Sequence, residues 1–165
     1  MQITAWLQCE GRNGTIWCWR THVAYYFEFD GPNRVLQATF TGQVTDEEVT
    51  TFYRMATEYV ALLDPIAAVV DFSDVTSFEV RVQTIRQLAK SAPAMPEQSH
   101  PRVIVAASPH IFGMARMFEF EGESTRPNLH VVRTMEEAWA IIGIHEFKFE
   151  PIAAALNSSN VDSSC

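Results

Sequence analysis

Apolar and polar positions along the chain alternate between two rhythms, one of period two and one of period 3.6, and each marks an element. The stretch "YYFEFDGPNRVLQATFTG" predicts two strands joined by a turn at Gly31-Pro32-Asn33, hence a β-hairpin. In "VTDEEVTTFYRMATEYVALL", residues Val49, Phe52, Tyr53, Ala56, Tyr59, Val60 and Leu63 fall on one helical stripe. "IAAVVDF" is an unbroken β-rich run, the pattern of a strand covered on both faces. Residues 77–90 predict a second helix with Val82, Ile85, Leu88 and Ala89 inward, ended by the prolines at 93 and 96. "RVIVAAS" and "LHVVR" read as further buried strands, "IFGMARMFEF" as a short, very apolar helix, and "MEEAWAIIGI" as a last one.

A local signal recurs at three joins. Thr45 with Glu48, Thr76 with Glu79, and Thr134 with Glu137 have the spacing of a capping box, in which threonine oxygen and glutamate satisfy exposed backbone N–H groups at a helix start. Together these elements predict an α/β fold in ββαβαβαβα order. Its sheet is mixed and mostly parallel, of about five strands with about four helices and right-handed crossovers. One domain is expected over 23–147. Residues 1–22, which hold Trp6, Trp17 and Trp19, read as an N-terminal extension, and the polar "LNSSNVDSSC" marks 148–165 as a disordered tail.

Composition narrows the partners. A formal charge of −8 and a pI near 5.0 argue against a nucleic-acid partner, which would want a basic face. No apolar run approaches the ~20 residues needed to span a bilayer. The first residues lack the basic start and apolar core of a signal peptide. Three cysteines near the ends make no disulfide framework. A cytoplasmic location is expected.

With that order in hand, the sequence resembles the STAS fold of bacterial anti-sigma-factor antagonists, and more closely the divergent SpoIIAA-like (STAS/Sec14-type) proteins. The similarity spans roughly residues 24–144: the hairpin with "TGQVT", then "VVDFSDVTSF", "RVIVAASPHIFGMARMFE" and "HVVRTMEEAWAIIG". The resemblance implies a regulatory, non-enzymatic module that signals by binding a protein partner, with a homodimer compatible with the fold. Members that switch by phosphorylation carry Asp-Ser-Ser-Gly at the helix start. Here Asp71, Phe72, Ser73, Asp74 and Val75 match the preceding half, but Val80, Arg81 and Val82 stand where the hydroxyls and glycine belong. The usual phosphoswitch is therefore expected to be absent.

Candidate chemistry is sparse. Thr76 and Ser77 are the nearest hydroxyls to the lost acceptor; a phosphate there would meet a helix N-terminus and Arg81. The simpler reading makes Thr76 an N-cap. Asp71, Asp74 and Glu79 could form an acid–base pair or a hard-cation site, but ordinary cap and dipole chemistry accounts for them, and no metal is expected. The histidines have no metal-ligand spacing, Ser108 and His110 have no G-x-S-x-G turn, and no glycine-rich phosphate loop is present, so no catalytic residue and no cofactor is predicted.

"HIFGMARMFEF" stands out because Ile111, Phe112, Met114, Ala115, Met117, Phe118 and Phe120 leave only Arg116 and Glu119 polar. One helical face cannot hold them all, so an apolar contact or pocket is expected. Two readings follow. In the first, the chain docks a protein through the 73–81 turn and the 111–120 helix, with Asp74, Phe78, Arg81, Phe112, Met114, Arg116 and Met117 on the surface. In the second, the same helix lines a site for a small apolar ligand or lipid, as the Sec14-like side of the resemblance implies. A closed apolar cavity near Met114 and Phe118 favours the ligand; a flat patch there favours the partner.

Overall fold

The hairpin forms where alternation predicts it. In the computed structural model, which describes residues 24–152, β1 (Tyr25–Asp30) and β2 (Val35–Thr45) pair antiparallel, with Tyr25 opposite Phe40 and Asp30 opposite Val35. The buried carboxylate of Asp30 holds the turn, accepting from the backbone N–H of Asn33 at 3.2 Å and from its side-chain amide at 2.8 Å. It also accepts from the backbone N–H of Lys148 at 3.1 Å, which ties the far end of the domain to the hairpin.

The remaining strands are β3 (Ala67–Glu79), β4 (Arg102–Val105), β5 (Leu129–Val132) and β6 (Phe149–Pro151). The sheet runs β5-β4-β3-β2-β1-β6, parallel from β2 to β5 and antiparallel at β1 and β6. This is the mixed, mostly parallel α/β sheet that the pattern predicts, with one strand more. That strand, β6, lies within the stretch expected to be a disordered tail. Three residues are too few to show alternation, yet β6 pairs with Glu28–Asp30, and Ile152 beyond it is buried against Phe29 and Leu36. The extension expected over 1–22 and the rest of the tail lie outside the described residues.

Helices α1 (Asp46–Leu63), α2 (Val82–Lys90) and α3 (Pro109–Gly122) cover one face of the sheet. Their inward side chains Val49, Phe52, Ala56, Ile85 and Met114 join Ala38 and Phe40 of β2 in the main core. Rings do much of the packing: Phe52 lies 4.8 Å from Phe40 and 5.3 Å from Phe27, centroid to centroid. Helix α4 (Met135–Ile142) covers the other face, setting Ala138 against Val69, Val103 and Val105.

Two of the three capping boxes form. The backbone N–H of Thr45 donates to Glu48 at 2.7 Å, and the backbone N–H of Glu137 donates to the Thr134 hydroxyl at 3.3 Å. The third does not form. "VTSFE" continues β3, pairing with Gly42–Thr45 of β2 across a register shift, and α2 starts only at Val82. Gly42 takes the positive φ of +69° beside that shift, a conformation glycine adopts without strain. β-Branched and aromatic residues favour the pleated surface, and Val75 and Phe78 pack on the core from it. Thr76 is therefore a strand residue and no N-cap. Glu79 instead accepts from the Gln43 amide at 2.8 Å and the Ser77 hydroxyl at 3.1 Å. The shift also corrects the inward set of α2: Val82 is 45% exposed, and Val80 is buried in its place.

Candidate functional site

A cavity of about 160 Å³ lies in the layer between the sheet and α1, α2 and α3. The sheet contributes Ala68, Val70, Ile104 and Leu129; α1 adds Phe52, Ala56 and Val60; α2 adds Ile85 and Leu88. Ile111, Met114, Ala115 and Phe118 of α3 also line it, so much of the apolar surplus of that helix turns inward. The volume matches the ~150 Å³ at which an apolar protein cavity takes up benzene. Polar groups are few on this wall: Tyr53, Arg102 and Arg126.

The two arginines are almost completely buried, Arg102 8% and Arg126 3% exposed, and among the described residues neither forms a salt bridge. Both terminal nitrogens of Arg126 are engaged. Its guanidinium donates to the Ala89 carbonyl at 2.7 Å, the Ser91 carbonyl at 2.9 Å and the Leu88 carbonyl at 3.2 Å, so it caps the C-terminal end of α2. It also reaches the Tyr53 hydroxyl at 2.6 Å and lies 5.0 Å from the Phe118 ring centroid. Gly122 makes room for it: a Cβ there would stand 3.1 Å from Nη1 of Arg126.

Arg102 is served differently. It begins β4 on the same sheet face as Ile104, and its Nη2 donates to the carbonyls of Met95, at 2.7 Å, and Glu97. Its Nε and Nη1 are buried with no partner among the described residues. Burial, and then the positive charge of Arg126, hold its pKa below the usual arginine value.

The sequence-predicted surface is arranged otherwise than expected. Thr76 is exposed and Ser77 half-buried on β3, and neither lies at a helix N-terminus. Arg81 is engaged with Asp46 of α1: its backbone N–H donates to Oδ1 at 2.9 Å, and its guanidinium pairs with Oδ2. Asp74 is exposed; Asp71 accepts from the backbone N–H of Ser73 at 2.8 Å and from its hydroxyl at 2.6 Å. Among the described residues no cluster of His, Cys, Asp and Glu could hold a metal. Phe78 packs on the core and sits 6.0 Å from the His110 ring. On α3, Arg116 pairs with Glu119 one turn on, and Arg133 lies over the Phe112 ring at 4.0 Å. Met114 is buried and Met117 half-buried, whereas Phe120 is 78% exposed. The predicted set is thus divided: Phe78 and Met114 line the cavity, and Arg81, Arg116 and Asp74 remain on the surface.

Sequence reasoning passed over both cavity arginines. Arg102 did carry a signal, since period-two alternation puts it on the same face as Ile104 in a strand read as buried on both sides. Arg126, in the loop "STRPN", carried none.

No helix among the described residues is long and apolar enough to cross a membrane. Among solved structures, the chain is similar to the phosphorylated form of SpoIIAA, a Bacillus cell fate determinant, at 15% identity and a TM-score of 0.47, over 71% of this chain and 97% of that one. No family model and no curated protein matches the chain.

Proposed function

We propose that this chain is a non-enzymatic binding module that takes a small apolar molecule between its sheet and helices α1–α3. The observation that carries the reading is the cavity lined by Met114 and Phe118. Apolar walls this close together offer dispersion contacts on several sides, so an apolar guest that fills the space between them is stabilising. Three helices border the guest, and their packing would register its presence on the surface. Titration with octan-1-ol followed by amide NMR tests this directly. Amides of Ile104, Leu129 and the α3 core residues are expected to shift, and Tm to rise with alcohol concentration by mass action. An unchanged spectrum and Tm up to the solubility of the alcohol would overturn the reading.

A second reading keeps the regulatory docking role, and one feature favours it. β3 extends past its pairing with β4, which ends at Asp71 opposite Val105, so among the described residues the stretch 74–79 pairs only with β2. A partner strand could add to that open edge. Asp74 and Arg81 would flank it, with Arg116, Phe112, Met117 and the exposed Phe120 presented from α3. In this reading Thr76 and Ser77 are where a phosphate would act, by repelling an acidic partner. Replacing Thr76 with glutamate would then weaken capture of the partner without changing octan-1-ol binding.

A further inference from the structure

Arg102 has five N–H donors. Two, on Nη2, serve the carbonyls of Met95 and Glu97; the three on Nε and Nη1 have no partner among the described residues and are buried. Unpaired buried donors on a charged group are among the costliest arrangements in a folded chain, and each such case calls for a reason. Arg126 makes the imbalance worse, because a second buried cation lines the same cavity and, among the described residues, no carboxylate pairs with either. The rest of the wall is aliphatic and aromatic, apart from Tyr53, whose hydroxyl already serves Arg126 and the Ala92 carbonyl. An apolar chamber with an uncompensated positive charge at one wall is complementary to a molecule that is apolar along its length and negative at one end.

Resting on the cavity reading above, we infer that the occupant is a small amphiphile with a single anionic head, a short- or medium-chain carboxylate. Its head would lie against Arg102 and its aliphatic part would fill the space beneath α1–α3. Binding would require the Arg102 side chain to turn so that Nε and Nη1, buried as they stand, meet a carboxylate oxygen in the cavity that this residue borders. Charge-assisted bonds of this kind are stronger than neutral ones. A cavity of about 160 Å³ accommodates a carboxylate with a short chain or single ring, and excludes a two-chain phospholipid. Arg126 contributes charge at a distance, since its terminal nitrogens are occupied by the end of α2, Tyr53 and Thr125.

The test compares octanoate with octan-1-ol and with inorganic phosphate on the full chain, by calorimetry and by the Nε–H resonance of Arg102 in a nitrogen-15 spectrum. Octanoate is expected to bind at least tenfold tighter than octan-1-ol and to move the Arg102 Nε–H, which the alcohol leaves in place. Arg102→Met is expected to erase the preference while keeping alcohol binding. Arg102→Lys, which retains the charge, should keep part of it, so a failure of one variant to fold leaves the comparison intact. Equal affinity for octanoate and octan-1-ol, with a stationary Nε–H, would overturn the anionic head and leave the apolar cavity standing. If neither binds, both readings fall. If phosphate alone moves the Nε–H and octanoate gains nothing from its chain, the site takes a free oxyanion and the amphiphile is refuted.

Discussion

The C-terminal end of α2 and the first residue of β4 each bury an arginine on the same cavity, and the two are served in opposite ways. Arg126 donates to three carbonyls at the end of α2, to the Tyr53 hydroxyl and to Thr125, so its burial cost is offset within the fold. Arg102 has two carbonyl partners and, among the described residues, leaves Nε and Nη1 unpaired. An inward charge is thus structural where its donors are accounted for, and a sign of function where they are not.

The largest effect is expected at Arg126. Arg126→Met removes those bonds at once and leaves the carbonyls of Ala89 and Ser91 short of donors in a largely buried place, while Leu88 keeps the Ser91 hydroxyl at 2.7 Å. A loss of about 3 kcal/mol or more is expected in urea unfolding at neutral pH. A loss below about 1 kcal/mol would mean that water or the chain's own rearrangement caps α2 equally well, and the contrast between the two arginines would disappear.

Arg102→Met should behave differently in the ligand-free protein. The substitution forfeits two hydrogen bonds to carbonyls but relieves three buried, unpaired donors and fills the space with an apolar chain of similar length. Replacing poorly compensated buried charge by packed apolar groups is often neutral or stabilising, so stability is expected to stay within about 1.5 kcal/mol of the parent. A loss as large as that at Arg126 would make Arg102 a structural clamp on the 95–97 loop and remove the reason to assign it a ligand.

A smaller pair of effects separates surface positions that look alike in sequence. Thr134→Val removes a working cap and should cost about 1 kcal/mol, whereas Thr76→Val keeps a β-branched residue on a strand and should change stability by less than about 0.5 kcal/mol. The same spacing, Thr-x-x-Glu, is present at both. At Thr134 the following residues are good helix formers, and the box closes. At Thr76 the following "SFEV" has a strand partner in Val44 and Thr45, and the pairing wins over local capping. That is why the order of elements, the hairpin turn and the α1 stripe were legible from periodicity, while the start of α2 and the three-residue β6 were not. The candidate site was legible in part. The apolar excess of α3 pointed to a pocket, which the helix does line, but the arginines that set its charge lie on β4 and in a loop, brought together only by tertiary packing.

The smallest effect concerns the exposed tie between α1 and α2. The Asp46 carboxyl titrates below the usual carboxylate range, first through the Thr84 side chain, then through the Arg81 backbone N–H and guanidinium. A lowered folded-state pKa means the unfolded chain binds this proton more readily than the folded one. The contribution is therefore complete above the unfolded value of about 3.9 and is lost as pH falls through the lower folded value. Asp46→Asn should have a slightly lower Tm than the parent at pH 7, with the two curves converging in strong acid. Added salt should also narrow the gap, because the pair is exposed. A gap that persisted unchanged from pH 7 to pH 2 would mean that the residue acts through packing at the α1 start, and not through its charge. Octan-1-ol binding should be the same in both proteins at every pH, since Asp46 is not among the residues lining the cavity.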